Sequence, residues 1–272
     1  MPITTASGTR TASISYGGAA LATGTNYYWR IRFWDSNGFM GPWSSSCLLR
    51  INRAPTTPSN VDPLGPYVST LTPLLTGSTY NDLENNPQAA AQFQLRLAGD
   101  TYANGINSGL LGGATTSWLV APALTEGTQY FWQVRYQDSV GGWSNFSNET
   151  SFTVDTIPPT TPGAPFVVSP NPTNGVVTLS WNPPSADSVS GIAGYELYRS
   201  NDATTWTVVN PNPVTGLTTS GSINYGYSPP EGSHYYRVRG KDNAGNFSAY
   251  SPSSVEVVVD KTAPSTPGQP RV

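Results

Sequence analysis

Three segments of the chain alternate apolar and polar residues with a period of two. They read GTNYYWRIRFWDSNG, GTQYFWQVRYQDSVG and GSHYYRVRGKDNAGN, and Ile31, Val134 and Val238 occupy the same place in each. An alternation of this kind predicts a β-strand with one face in a core and the other in solvent. The copies recur about every 100 residues, which is the size of a complete β-sandwich domain.

A turn and a further strand follow each of these segments. The turns are Asp-Ser-Asn-Gly, Asp-Ser-Val-Gly and Asp-Asn-Ala-Gly, sets in which Gly can adopt positive φ and Asp can bond the backbone of the turn. An aromatic residue and a serine come next, and then the strand-like runs CLLRIN, TSFTVD and VEVVVD. The sequence therefore predicts three copies of a hairpin formed by the last two strands of a sandwich.

These motifs resemble fibronectin type III domains, in particular those of bacterial surface and secreted proteins. The resemblance is carried by Gly-Thr-x-Tyr-x-Trp-x-[Ile/Val]-Arg, by the strands GVVTLSWNPP and IAGYELYRS, and by the linkers VDTIPPTTPGAP and VDKTAPSTPGQP. It covers nearly the whole chain and implies an all-β fold of tandem fibronectin type III (immunoglobulin-like) β-sandwiches. The Pro-rich linkers indicate stiff, extended spacers.

Domain boundaries follow from the repeat. We expect the C-terminal half of a module, with strands E, F and G, over 1–53, complete modules over 57–155 and 162–260, and a linker with the start of a further module over 261–272. Strand E of the half module is predicted at 11–16. Trp29, Ile31 and Phe33 would then lie on an uncovered apolar face. Either the chain is a window on a longer array, or a neighbouring copy completes the half module by strand donation and builds a filament.

The second module departs from the pattern in its first half. The run PQAAAQFQLRL has good helical propensity, but Phe93 and Leu95 alternate with glutamines at the place of strand C, and this predicts a strand. Leu74 and Leu75 are expected to fill the core space that Trp181 fills in the third module, for which seven strands are predicted.

The composition excludes several functional classes. The chain has 13 basic and 16 acidic residues and no basic run, so it lacks the positive stripe that nucleic acids require. No apolar stretch approaches the ~20 residues that span a bilayer, and the first residues lack the apolar core of a signal peptide. One cysteine, Cys47, and one histidine, His234, supply no disulfide and no hydrolase triad. Cys47 is interpreted as a small buried residue of its strand.

Several aromatic side chains are predicted to hold the modules together. In immunoglobulin-like sandwiches a Tyr near the start of strand F bonds the backbone upstream, and Tyr27 and Tyr130 fit this role. His234 falls at the matching place in the third module. Packing explains the aromatic residues at core-phase positions better than sugar binding does; these are Trp29, Trp132, Trp181 and Tyr236. Trp43 and Trp143, in loops, are expected to cover the end of each sandwich.

Calcium is the best of the chemical hypotheses. Oxygen ligands on the loops of adjacent modules are suited to a hard cation. The candidate ligands are Asp155, Asp187, Asp242, Asn243 and Asp260, with a second group of Asp82, Glu84, Asn85 and Asn86. Turn chemistry explains the same residues and is the preferred explanation, because no Asp-x-Asp-x-Asp loop is present. No other cofactor is predicted.

The sequence thus predicts a non-enzymatic structural array of an extracellular or cell-surface protein. Its expected partners are copies of itself or neighbouring modules of a longer chain. Two alternatives stay open: accessory modules of a secreted polysaccharide-active enzyme, and an adhesin that binds a protein or a glycan. The inference comes from the resemblance of the fold, and this fold carries many unrelated functions.

Overall fold

The computed structural model describes residues 13–182, 185–209 and 225–269. Within these ranges the chain forms strands, turns and loops, and it forms no helix. Consequently the described ranges contain no helix long and apolar enough to cross a membrane. The residues that alternate in the sequence lie on three successive units, each with its own strands.

The first unit is a two-stranded hairpin. Strand β1 (Asn26–Trp29) pairs antiparallel with β2 (Cys47–Arg50). Trp29, which the alternation places on a core face, is 53% exposed, because the described residues form no buried cluster around this hairpin. Cys47 is exposed, so its interpretation as a buried residue is wrong. Residues 13–16, the described part of the strand predicted at 11–16, lie in no strand.

The second unit is a sandwich of two sheets. Its strands are β3 (Asn60–Asp62), β4 (Tyr67–Val68), β5 (Leu74–Gly77), β6 (Gln88–Leu97), β7 (Ile106–Asn107), β8 (Leu111–Gly112), β9 (Ser117–Leu119), β10 (Gln129–Asp138) and β11 (Thr150–Val154). One sheet has the order β3-β5-β9 and the other has the order β4-β11-β10-β6-β7, with β8 also paired to β6. A buried cluster that includes Phe93, Trp132 and Phe152 fills the space between the sheets.

The strand predicted over PQAAAQFQLRL is confirmed, since this run forms β6. Phe93 and Leu95 are fully buried, and the alternating Gln92 and Gln94 are half-buried. The expectation for the two leucines of β5 is half right. Leu75 is in the core, but Leu74 is exposed, because successive residues of a strand point to opposite faces of the sheet.

The third unit repeats this plan. The strands in its described residues are β12 (Phe166–Val167), β13 (Val177–Ser180), β14 (Ile192–Ser200), β15 (Thr207–Val208), β16 (Tyr225–Tyr227), β17 (Gly232–Asp242) and β18 (Val257–Val259). The sheets have the orders β12-β13-β16 and β15-β14-β17-β18. Trp181 is fully buried, and its ring meets that of Tyr195 edge-on at a centroid distance of 5.4 Å. For strand E of this unit the sequence predicts residues 223–227, and residues 223 and 224 lie outside the described ranges.

A row of serines, here called the serine seam, is hydrogen-bonded to the edge of one long strand of each sandwich, β10 or β17. The serines lie in the segment that follows the turn at the end of that strand. In the third unit Ser248, Ser251 and Ser254 face Gly240, Val238 and Tyr236 of β17 in turn. Each serine bonds one residue twice: its N–H donates to the carbonyl, and its hydroxyl accepts from the N–H of the same residue. Ser251, for example, makes these bonds to Val238 at 2.8 and 2.9 Å.

The same seam occurs in the other two units. Ser144 and Ser147 bond Tyr136 and Val134 of β10 in this double manner. Ser44 does so with Ile31 in the first unit. The seam serines are buried in the second and third units. A hydroxyl therefore supplies the partner that a neighbouring strand would otherwise give to a buried N–H.

Aromatic residues that directly precede the seam serines stack on arginines of the long strands, and we call this arrangement the arginine ladder. The guanidinium carbon of Arg135 lies 4.5 Å from the ring centroids of both Trp143 and Phe146. Arg237 lies 3.8 Å from the ring centroid of Tyr250. It also lies 4.4 Å from the ring centroid of Trp206, which precedes β15 and not a seam serine.

Arg32 in the first unit lies 4.5 Å from the ring centroid of Trp43. Trp143 thus stacks on an arginine of β10, and Trp43 stacks on an arginine that follows β1. That these two rings cover the end of a sandwich stays a prediction. The aromatic residue of each aromatic-Ser pair belongs to the ladder, and its serine belongs to the seam.

The buried position of Trp181 leads to a first prediction. Trp181→Ala should lower the free energy of unfolding of the third unit by about 3–5 kcal/mol, through lost burial and an unfilled cavity. Urea unfolding followed by circular dichroism measures the change. Trp29→Ala, which removes an exposed ring, is the control and should cost much less. A loss for Trp181→Ala no larger than that of the control would contradict the core position.

The serine seam leads to a second prediction. Ser251→Ala removes the acceptor of the Val238 N–H and leaves this buried donor unpaired, which should cost about 1–3 kcal/mol. Ser253→Ala changes an exposed serine of the same segment and should stay within about 0.5 kcal/mol of wild type. Equal unfolding curves for the two variants would show that the hydroxyl does not stabilise the strand.

Candidate metal centre at a module junction

Asp155 directly follows β11, at the point where the second unit ends. Its side chain is fully buried. The Oδ1 atom accepts a hydrogen bond from the Ile157 N–H at 3.2 Å, but the buried Oδ2 atom has no hydrogen-bond partner. Burial of a carboxylate oxygen without a partner costs free energy, because the atom loses its hydrogen bonds to water and forms none with the protein.

Two loops of the third unit bring further carboxylates to this point. Asp187 lies between β13 and β14, and its Oδ1 accepts from the N–H groups of Val189, Ser190 and Gly191 at 2.8–3.0 Å. Asp242 ends β17, and its Oδ1 accepts from Gly245 N at 2.7 Å and Asn246 N at 2.8 Å. Gly245 has φ +102°, which explains the glycine of this turn.

Together these aspartates form a cluster of three carboxylates. One oxygen of each, from Asp155, Asp187 and Asp242, lies within 4.8 Å of the others, and Asp155 and Asp242 are buried. Burial raises the pKa of the Asp155 carboxyl, a hydrogen bond with Ser190 opposes this shift, and the charges of Asp187 and Asp242 add to it. Several carboxylate oxygens around one point are the ligands that Ca²⁺ takes in proteins.

The other predicted ligands lie elsewhere or act differently. Asn243 uses its side-chain amide to donate to the Ser190 carbonyl at 2.8 Å, and so it ties the two loops of the third unit together. Asp260 is exposed beside the turn between β12 and β13, where its N–H donates to Thr173 O and its Oδ1 accepts from Thr262 N. The cluster therefore contains three of the five predicted ligands.

Sequence reasoning missed Asn246, which connects the two units. Its Nδ2 donates to the main-chain carbonyl of Asp155 at 2.8 Å and to Asp242 Oδ2 at 2.9 Å. The signal that could have revealed it is its place at the end of the Asp-Asn-Ala-Gly turn, four residues after Asp242. The junction is thus closed by an amide as well as by the approach of carboxylates.

The second predicted group lies at the preceding junction. Asp82 Oδ1 accepts from the N–H groups of Glu84 and Asn86 at 2.8 and 3.0 Å, and Glu84 Oε2 accepts from the N–H of Arg53 at 2.8 Å. Asn85 has φ +60° within this turn. These residues shape a loop that receives the chain leaving the first unit.

The residues predicted to be structural lie apart from the cluster. Tyr27 Oη accepts from Ala22 N at 2.8 Å, Tyr130 Oη accepts from Thr125 N at 3.1 Å, and His234 Nε2 lies 2.8 Å from Pro230 O. Three further aromatic side chains of this set are fully buried: Trp132, Trp181 and Tyr236. Burial, together with the hydroxyl of Tyr227 at 3.1 Å, raises the pKa of Tyr236.

Comparisons with known sequences match the chain to parts of larger bacterial proteins. A family model for the Rha78A-like, N-terminal immunoglobulin domain matches residues 4–51. Endoglucanase B of Cellulomonas fimi is 33% identical over 255 residues, which cover 90% of this chain and 22% of that protein. Exoglucanase B of the same species is 30% identical over 246 residues, which cover 87% of this chain and 21% of that protein. The chain spans about a fifth of the length of these relatives.

Comparison with solved structures establishes the fold. The FN1-FN3 domains of chicken CNTN1 align with a TM-score of 0.51 over 87% of this chain and 76% of that chain, at 15% identity. Likeness at this low identity is evidence for the fold alone. The second and third units of this chain are fibronectin type III-like β-sandwiches arranged in tandem, as the motifs predict.

Proposed function

We propose that this tandem array of fibronectin type III-like modules is a non-catalytic spacer that holds other parts of a secreted protein at a fixed separation. The observation that carries the proposal is the docking of each linker on the unit that follows it. Thr160 bonds Ala186 twice: its N–H donates to the carbonyl at 2.9 Å, and its Oγ1 accepts from the N–H at 2.7 Å. Thr56 likewise donates to Asn81 O from both N and Oγ1 at 3.0 Å.

Docked, Pro-rich linkers suit a rod. Proline already restricts the backbone of such a segment. Hydrogen bonds to the next unit restrict it further, because a change in the angle between two modules would break them. The array therefore keeps a fixed distance between whatever is attached to its two ends, as a spacer must.

The arginine ladder argues against sugar binding by the aromatic residues of the sheet. Sugars are recognised by stacking on open aromatic faces, but in the ladder cations stand over the rings. Arg237 lies between Tyr250 and Trp206, and Arg239 stands 4.0 Å from the ring centroid of Phe247. Stacking of a guanidinium on an aromatic face is favourable in its own right. These contacts stabilise the module, and the ring faces that the arginines cover are not open to a sugar.

The relatives favour one setting for the spacer. Both proteins of Cellulomonas fimi are named as glucanases, and this chain matches about a fifth of each. We propose that the array is an accessory region of a secreted polysaccharide-degrading enzyme, which has its catalytic residues in another part of the protein. A surface fibre is the second setting. It is favoured by the exposed hairpin of the first unit, where Tyr28, Trp29 and Phe33 are 70%, 53% and 59% exposed and could be covered by another copy.

The spacer function predicts a rod without activity. The purified chain should release no reducing sugar from cellulose or chitin and should not sediment with either polymer. Small-angle X-ray scattering should give an extended particle with a narrow distribution of lengths. Thr160→Val removes one linker bond and should broaden this distribution, whereas Thr161→Val alters an exposed neighbour and serves as the control. Saturable binding to a polymer, or a compact wild-type particle, would contradict the spacer function.

We also propose that Ca²⁺ binds the cluster of Asp155, Asp187 and Asp242 and stiffens this junction. The buried, unpaired Oδ2 of Asp155 supports the assignment, because a cation would supply its missing partner. Asp187 and Asp242 are already oriented by their own turns. The same backbone bonds that make these aspartates good turn residues thus prepare them as ligands.

Metal removal tests this site. A calcium concentration of about 100 times the dissociation constant should stabilise the folded chain by about 2.7 kcal/mol, and a chelator should abolish the gain in a thermal melt. Asp187→Asn should weaken calcium binding in a calorimetric titration, because one ligand charge is lost. Asp202→Asn is the control: Asp202 also accepts bonds from its own turn but is not part of the cluster. An unchanged wild-type melt in chelator would remove the metal hypothesis.

A further inference from the structure

The two junctions of the chain share one plan, and the residue that follows the last strand of the preceding unit differs between them. Each unit ends with a carbonyl that accepts from a glycine N–H of the same unit: Gly24 N donates to Ile51 O, and Gly127 N donates to Val154 O. The next residue is Asn52 at the first junction and Asp155 at the second. Each lies against the aspartate that ends the long strand of the next unit, Asp138 or Asp242.

At the first junction a side-chain amide makes the connection. Asn52 Nδ2 donates to Asp138 Oδ2 at 2.7 Å, and Asn52 Oδ1 accepts from Asn86 Nδ2 at 2.7 Å. Asp138 Oδ1 accepts from Val140 N and Gly142 N at 2.8 Å. An amide can donate and accept at once, whereas an ionised carboxylate can only accept. Both ends of the Asn52 side chain are therefore paired without an ion.

At the second junction the corresponding side chain can only accept. Asp155 lies beside the carboxylates of Asp187 and Asp242 and near the Ser190 hydroxyl, and its Oδ2 is buried and unpaired. Asp82 Oδ2 and Glu84 Oε1 at the first junction are buried and unpaired as well, but within the described residues the cluster of three carboxylates occurs at the second junction. Three carboxylates within 4.8 Å of one another repel, and burial strengthens the repulsion. A cation removes this repulsion and provides the missing partner. At this junction the Asn246 amide holds the main chain of Asp155, and an ion is needed to connect the Asp155 side chain, which the Asn52 amide does at the first junction. This step rests on the calcium site of the proposed function.

We propose that the residue after the last strand of each module decides whether the following joint depends on calcium. Asn52 makes the first joint permanent, and Asp155 makes the second joint responsive to calcium. The array is then a rod with one fixed joint and one joint that loosens when calcium is removed. Asn52 and Asp155 act as specificity-determining residues for metal binding at the two joints.

Hydrogen exchange of the full chain is measured by mass spectrometry, once with 1 to 2 equivalents of CaCl₂ present during exchange and once with chelator. This gives the exchange rates of main-chain N–H groups at both joints in one experiment. The reporters are main-chain N–H groups that donate at each joint. At the first joint they are Arg53, Thr56, Glu84 and Val140. At the second they are Ile157, Val189, Gly191 and Gly245. Chelator should speed exchange about tenfold or more at the second set and leave the first set unchanged.

Two variants test the joints separately: one removes the amide connection at the first joint, and the other introduces an amide at the second. Asn52→Ala should speed exchange at the first set about tenfold with calcium and with chelator alike, because the amide connection is lost. Asp155→Asn supplies an amide to Asp242. It should abolish calcium binding at the second joint and keep the second set protected in chelator. The matched control is Asn107→Ala, which alters an exposed asparagine on β7 of the second unit and should leave both sets unchanged.

The outcomes separate this proposal from the one on which it rests. If wild-type chain binds no calcium, the metal part of the proposed function fails, and the difference between the joints is overturned with it. If calcium binds but both sets respond to chelator, the calcium site stands and the rule for Asn52 is overturned. An unchanged first set in Asn52→Ala, measured in chelator, overturns the amide connection whatever happens at the second joint.

Discussion

Strands β10 and β17 need hydrogen-bond partners along both edges, and the rest of each module is arranged around this need. On one edge β6 and β14 pair with them along nearly their whole length. On the other edge β11 and β18 reach only the first residues. The serine seam serves the alternate residues beyond that point, up to the turn that begins at Asp138 or Asp242. A buried N–H without a partner would be costly, so the seam is a condition of the fold.

The seam also determines what the two faces of the sheet carry. Serines point at the edge of the strand, so the aromatic residues before them turn outward and meet the arginines of the ladder. The opposite face of the same strand carries Trp132 and Val134, or Tyr236 and Val238, into the core. The end of the strand then places an aspartate at the junction. One strand per module thus links the core, the outer face and the contact with the preceding module.

The sequence was sufficient to predict the strands of the sandwiches, but it was not sufficient to predict the hydrogen bonds at the edges of these strands. Period-two alternation is local and strong, and it predicted β6, β10 and β17 in spite of a helix-prone composition at β6. The seam serines recur every three residues, as in Ser248, Ser251 and Ser254. This period matches neither a β-strand nor an α-helix, and so the pattern was visible in the sequence but did not indicate a structural role. The exposure of Leu74 depends on strand register, which a run of two leucines does not determine.

The candidate metal centre was predicted in part for a related reason. The turns that hold Asp187 and Asp242 are readable from sequence, but their approach to Asp155 depends on how two modules meet. Asp260 has the same sequence context as Asp155, yet it is exposed, and no loop of a following unit lies among the described residues to meet it. The turn marks Asn246 as a residue of the loop, but its contact with the Asp155 carbonyl, 91 positions away in the sequence, could not be predicted from the turn alone.

Asn246 has a consequence for how the protein is produced. It begins an Asn-Phe-Ser sequence, the acceptor signal for N-linked glycans in hosts that have that machinery. A glycan is attached through Nδ2, the atom that here donates to both Asp155 O and Asp242 Oδ2. Because a bulky sugar would occupy the space between two modules, material secreted from a eukaryotic cell would have a disrupted junction, whereas bacterial material would keep it intact.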